Sequence, residues 1–425
     1  MGTVMDVWRV TYIYNKVGDV PMVPSMAAPV KRKDMRKTFL ALLAIVTLLG
    51  MVACSDKDDP ATPPTKEVDQ DDDNTTATLD ENYTYRLPVI FHVLYKNAAD
   101  PKQYVSATRL ATLLEHVNHL YQGGLYSTDI GSSENIRVNF VLATHDERGN
   151  KLSTPGVEYV KWDGAYPIPP TDFMGNHKEY VKYLWEPNDF INVMVYNFAT
   201  EAGDNGTTLG ISHLPFVLTG VNETDGLTAL EATKANITKS NLGFAYCSSI
   251  NSLYLDYESD RYANEDHNIK SGTIQQLMYD ANITLAHELG HYLGLLHVFA
   301  EPAEGNTDPC PDTDYCTDTP TYNRTAYLAD LTAYINSAKD GSVSLRRLTE
   351  RTDAAGNSFS ATNLMDYSFT YGFQFTAQQK ARMRRVLYNS PLIPGPKQRL
   401  RAASRAATPA PVPQGIVDLP IRYMK

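Results

Sequence analysis

The sequence predicts an α/β fold, of the α/β (α+β) class, from three observations. A strand, a helix and two more strands open the folded body in that order. A second helix follows and carries a dense histidine motif. With 43% hydrophobic and 10% aromatic residues over 425 positions, the chain can fill one large or two medium domains.

The opening strand alternates Leu87, Val89, Phe91, Val93 and Tyr95 with Arg86, His92 and their neighbours. In the helix after it, Leu110, Leu113, Leu114, Val117, Leu120 and Tyr121 recur at helical spacing, with Ser106 placed as its cap. Ile136 to Ala143 and Ile191 to Tyr196 read as strands. From about Thr200 to Asp266, abundant Gly, Asn, Thr and Ser predict long loops with short strands such as Leu209 to Leu214. Beyond Phe299 an acidic loop leads to a less regular region. That region closes in a helix near Thr376 to Tyr388, with Thr376 and Gln379 as a capping-box pair.

The N-terminal part reads as an address. Met35-Arg36-Lys37 precedes an apolar run from Phe39 to Ala53, too short to span a bilayer but suited to a signal peptide. Ala53 directly before Cys54 resembles a bacterial lipobox, which would make Cys54 the acylated first residue; an incidental cysteine is the alternative. The acidic Ser55 to Asp59 and the Pro-, Thr- and Asp-rich stretch behind it form a solvated tether, read either as a surface-export signal or as a plain linker. The expected organisation is a non-native extension at 1–34, a lipoprotein signal peptide at 35–53 and a lipid-anchored acidic linker or short pro-segment at 54–83. An upper lobe at 84–294, a lower lobe at 295–390 and a disordered Pro- and Arg-rich tail at 391–425 complete it.

The formal charge of -11 argues against a nucleic-acid partner, since phosphate binding needs clustered Lys and Arg. Removing residues 1–53 takes away 7 basic and 3 acidic residues, leaving 31 against 46 and a charge of -15. Of the cysteines, Cys247, Cys310 and Cys316 follow Cys54, and export favours one bridge and one odd thiol. Cys310 and Cys316 could close their loop, or either could pair with Cys247.

The chemistry lies in His287-Glu288-Leu289-Gly290-His291-Tyr292-Leu293-Gly294-Leu295-Leu296-His297. Four residues apart on a helix, His287 and His291 share one face, the spacing two imidazoles need to hold one zinc ion. Glu288 stands beside the first ligand as general base, and Gly294 can turn the chain so that His297 returns as third ligand. Three imidazoles leave an open position, the mark of a catalytic zinc. With 10 His in the chain, chance would give the whole string in roughly one such chain in a hundred thousand. The remaining histidines, His116 and His119 on a solvent face and His92, His145, His177, His213 and His267 without partner spacing, read as structural or surface residues.

The string resembles the metzincin signature, and Asn363-Leu364-Met365-Asp366-Tyr367-Ser368 resembles the methionine turn that follows it in that group. Leu87 to Val93, Ile191 to Asn197, Asp318-Thr319-Pro320, Phe375-Thr376 and Arg382-Met383-Arg384 are similar to the pappalysin family, especially its ulilysin-like and cytophagalysin-like bacterial members. The resemblance covers about residues 84 to 390. It implies a zincin-like catalytic domain with a twisted, mostly parallel sheet, a zinc helix and a smaller irregular C-terminal lobe. It also implies His287, His291 and His297 as zinc ligands, Glu288 as base, Met365 as hydrophobic floor and Tyr367 as oxyanion or zinc contact. Calcium is implied near Asp308, Asp312, Asp314 and Asp318, which otherwise read as a solvated acidic loop.

Two departures stand out. Relatives that cut beside arginine place an acid shortly after the methionine turn, whereas Phe369, Thr370, Tyr371, Gly372 and Phe373 stand here. The cysteine that keeps some relatives latent has no counterpart but Cys54; Asp71 or Asp73 would have to serve. The expectation is thus a zinc metalloendopeptidase taking an extended protein or peptide substrate. It would be exported, anchored to the bacterial outer membrane through Cys54, displayed at the cell surface and monomeric. The rivals are a surface-anchored binding lipoprotein that keeps the zinc fold without turnover, and a non-peptidase zinc hydrolase such as a cell-wall amidase.

Overall fold

A computed structural model describes residues 6–11, 81–124, 131–175, 177–200, 206–219, 224–231, 236–258, 268–270, 279–301, 306–338, 342–367 and 369–397. Its centre is a seven-stranded sheet. The strands are β1 (Asp6–Thr11), β2 (Tyr85–Tyr95), β3 (Val138–Leu142), β4 (Val157–Lys161), β5 (Ile191–Tyr196) and β6 (Gly206–Ser212), joined, after the small parallel pair β7 (Phe216–Leu218) and β8 (Thr228–Leu230), by β9 (Ser248–Asn251). The order is β1-β6-β9-β5-β2-β3, with β4 also on β2.

Four of the six pairings are parallel, and only β6 runs against β9 and β1 against β6. The eleven-residue β2 is the hub. Its first half pairs with β3 from Tyr85 to Val89, and its second half with β4 from Phe91 to Tyr95. All of β5 is buried, as a parallel strand covered on both faces must be. His92 ties three strands together: buried on β2, it bonds Glu158 of β4 through Nδ1 at 2.7 Å and Asn192 of β5 through Nε2 at 2.9 Å.

Helix α1 (Ala107–Tyr121) buries the six apolar residues that its spacing predicts, and the Ser106 hydroxyl accepts the Arg109 N–H as its cap. After the short α2 (Pro170–Phe173) comes α3 (Ala281–Tyr292), packed beside α1 and against β6 and β9. Every residue of α3 is buried, so its amphipathic stripe is lost and its polar side chains sit in the interior. The Asp280 carboxylate caps it, accepting from the N–H groups of Asn282 and Ile283. Its far end is a Schellman turn: Leu295 N–H donates to Gly290 O and Gly294 N–H to His291 O. Gly294 takes the φ of 95° which that turn requires.

The remainder is built from α4 (Arg324–Ser337), α5 (Leu345–Thr349), α6 (Ala377–Asn389) and two short antiparallel pairs, β10 (Asn268–Lys270) with β11 (Ser342–Ser344) and β12 (Glu350–Thr352) with β13 (Ser358–Ser360). The expected capping box of α6 forms between Thr376 and Gln379. Among the described residues no helix is long and apolar enough to cross a membrane. The signal peptide, Cys54, Asp71, Asp73 and nearly all of the tail lie outside them.

Candidate active site

His287 and His291 project from one face of α3, and the chain leaving Gly294 brings His297 back to them. Their Nε2 atoms converge: that of His291 lies 2.9 Å from that of His287 and 3.1 Å from that of His297. Among the described residues these three form the group able to hold a metal ion, all within 4.8 Å of one another and all buried.

The Nδ1 atoms decide the tautomers. His287 Nδ1 faces the Leu364 carbonyl at 2.7 Å, His291 Nδ1 the Leu295 carbonyl at 2.8 Å and His297 Nδ1 the Glu301 carboxylate at 2.9 Å. Carbonyl and carboxylate oxygens only accept, so each ring proton is committed to Nδ1 and each Nε2 presents its lone pair. Burial, reinforced by the neighbouring imidazoles, holds His287 and His291 well below the usual imidazole range, so protonation does not relieve the crowding. A cation does. The residues therefore fit zinc: three neutral nitrogen donors, each oriented by a second partner.

Glu288 is buried beside His287, and its carboxylate lies against β6, where a Cβ on Gly210 would come 2.5 Å from Oε1. Met365 lies beneath the helix, and a Cβ on Gly290 would come 2.6 Å from its Sδ. Between two ligands of one helix, glycine thus admits the methionine turn. Gly290→Ala should gain about 1 kcal/mol in helix propensity but lose about 1–3 kcal/mol to overpacking. The expected net is a destabilisation of about 1 kcal/mol by urea denaturation; an increase would mean that Met365 yields freely.

The turn is held from three sides. Val298 N–H donates to Met365 O at 3.3 Å, the Asn363 amide exchanges bonds with Gln379 of α6, and Asp366 accepts from Tyr322 Oη at 2.5 Å and from Tyr367 N at 2.7 Å. Tyr367 itself is 6% exposed, its ring 4.4 Å from that of His297 and 5.7 Å from that of His287. Arg324 stands over the Tyr367 ring at 4.8 Å. Phe369, Thr370, Tyr371, Gly372 and Phe373 are buried and bring no carboxylate.

The calcium set read from the acidic loop does not come together. Asp308 caps Cys310 N, Asp312 caps Tyr315 N, Asp314 accepts from Cys316 N and Thr319 Oγ1, and Asp318 caps the start of α6 through Thr376 Oγ1 and Gln378 N. Their carboxylates are spent on turns and on a helix N-terminus. Burial lifts the Asp314 carboxyl to about 7, and the adjoining Asp312 adds to the lift. The expected disulfide is not formed either: Cys247, Cys310 and Cys316 are free thiols. Cys247 is enclosed at the head of β9, its Sγ 3.1 Å from Ala245 O and 3.3 Å from Met174 Sδ, while Cys316 is buried behind Asp314.

Several histidines outside the motif are structural, as expected. His92 is described above, and His213 bonds Met174 O and Cys247 O from within the core. His267 lies outside the described residues. Three contributors to the site escaped the sequence reading. Glu301 could have been found from its nearness to His297 in the chain. Gly210 and the buried Arg351, which supports the methionine turn, carry no local signal.

Residues 241–388 match the family model for peptidase M43, described as pregnancy-associated plasma protein-A. No curated protein matches the chain by sequence. Among solved structures, mature mirolysin of Tannerella forsythia in complex with a cleaved peptide is similar at 19% identity and a TM-score of 0.44, covering 71% of this chain and 90% of that one. A promirolysin mutant from the same organism is 18% identical over 72% of this chain and 80% of its own, also at 0.44. A mirolysin bound to a compound gives 19%, 71%, 91% and 0.44. The assignment rests on the matched segment, which contains all three imidazoles, Glu288, Met365 and Tyr367. Residues 241–388 thus match the pappalysin family of metallopeptidases, and the three converging histidines within them supply a metal-competent group that fits zinc.

Proposed function

We propose that the chain is an endopeptidase of extracellular proteins, with zinc on His287, His291 and His297 and Glu288 as its general base. The observation that carries this reading is the convergence of three Nε2 atoms in a buried site one residue from a buried carboxylate. When bound, zinc supplies Lewis acidity, which polarises a peptide carbonyl and makes a water acidic near neutral pH.

The chain's own residues do the rest. Glu288 takes the proton of the attacking water and passes it to the departing amine. Its shape is held by the close wall at Gly210. Tyr367, against His297 and His287, faces the place where negative charge grows on the substrate oxygen and stabilises it. Met365 closes the floor and keeps both ligand-bearing segments in contact. An extended peptide is the substrate form suited to pairing against a sheet edge. Export and anchoring through Cys54, with display at the outer-membrane surface, follow from the Lys37–Cys54 signal.

The test is a digest of casein, gelatin and a peptide library by the purified protein, with and without a zinc chelator. Internal cleavage that stops with chelator and returns with added zinc is expected. Cleavage indifferent to chelation, or cleavage of peptidoglycan but no protein, overturns the reading.

A further inference from the structure

We propose that Glu301 is a positioning residue for the third ligand, holding the His297 imidazole by a charged hydrogen bond and balancing the charge of the metal. The proposal rests on the zinc reading above. The three ligands are not oriented alike: His287 and His291 donate to main-chain carbonyls, whereas His297 alone donates to a carboxylate. A charge-assisted bond of this kind fixes the ring more strongly and makes its Nε2 a better donor.

The local backbone explains why Glu301 arrives there. After a bend at Val298 the chain bridges to Tyr322 at Phe299, with Val298 N–H bonded to Met365 O and Ala300 N–H to Tyr322 O. His297 meets both Phe299 and Glu301 on one side of this segment. Phe299 stacks on the His297 ring at 4.6 Å and 17°. Thr313 Oγ1 clamps the segment, accepting from Glu301 N at 3.1 Å and donating to Phe299 O at 3.3 Å. The Glu301 side chain is only 13% exposed, and among the described residues its Oε2 has no hydrogen-bond partner.

Charge gives the purpose. A divalent ion on three neutral imidazoles is a buried double charge, costly unless it is offset nearby. Glu301 touches a ligand directly and Glu288 adjoins His287 in the chain, so both carboxylates are placed to offset it.

Full-length protein, Glu301→Gln and Glu301→Ala are titrated with zinc against a chromogenic chelator, and cobalt-loaded samples are compared in the visible. The isosteric Gln keeps an acceptor for His297 and removes only the charge. Zinc affinity should fall about tenfold in Gln and up to about a hundredfold in Ala, with a shifted cobalt ligand-field band and unchanged melting of the metal-free protein. Equal zinc affinity and equal bands in all three overturn the proposal, as does a loss in Ala that Gln restores in full. A parent protein that binds no zinc overturns the metallopeptidase reading instead.

Discussion

Glu288→Gln should leave zinc bound one to one and lower kcat by about two to four orders of magnitude. The side chain is no ligand: the metal-competent group consists of the three histidines. Gln has the same shape, so the contact with Gly210 and the packing of α3 survive, while the basic oxygen that collects the proton is gone. KM should change little, because substrate binding does not draw on that proton. Zinc content measured beside peptide hydrolysis separates the outcomes. Full activity in the Gln variant would remove Glu288 from the mechanism, and lost zinc would make it part of the metal site. A protein inert before and after the change, with zinc bound in both, would favour the binding-lipoprotein alternative.

The second large effect is expected far from the metal. Arg351 is 1% exposed, yet its guanidinium donates to Phe369 O at 2.9 Å, Tyr367 O at 3.3 Å and Leu348 O at 3.1 Å, with the Tyr327 ring 3.7 Å away. Its Nε lies 3.6 Å from Asp366, the residue that also holds Tyr322 Oη and Tyr367 N. Burial lowers the guanidinium pKa, but Tyr327, Tyr322 and Asp366 together hold it above the ordinary value. Arg351→Met removes the cation beside Asp366 and the donor to three carbonyls, and should cost about 3–5 kcal/mol in urea denaturation. It should also lower kcat through Tyr367, whose backbone it grips. Arg351→Met with Asp366→Asn should recover much of the stability and little of the rate. A loss below about 1 kcal/mol in the single variant would mean that the pair is not a unit.

The parts of the molecule legible in the sequence were those with a period or a motif. The alternation in β2, the helical spacing of α1, the capping box of α6 and the histidine string each encode their geometry locally. The strand expected at Leu209 to Leu214 lies at Gly206–Ser212, because loop-like composition blurs its start. β4 and β9 were hidden in polar, Gly-rich sequence, since a short strand takes its stability from neighbours. α4 was missed for a related reason: only Tyr327 and Leu331 are buried along its fourteen residues, too few for a stripe. The acidic loop misled because carboxylates that cap turns and carboxylates that bind cations have the same composition and differ only in where they point.

The hub role of β2 bears on how the protein is made. Its three parallel partners begin at Val138, Val157 and Ile191, so no hairpin can nucleate the sheet, and each pairing closes a long stretch of chain first. Such a topology folds slowly. The zinc helix packs against β6 and β9, and the methionine turn lies against that helix. Until Ile191 has been synthesised, β2 lacks one of its three parallel partners.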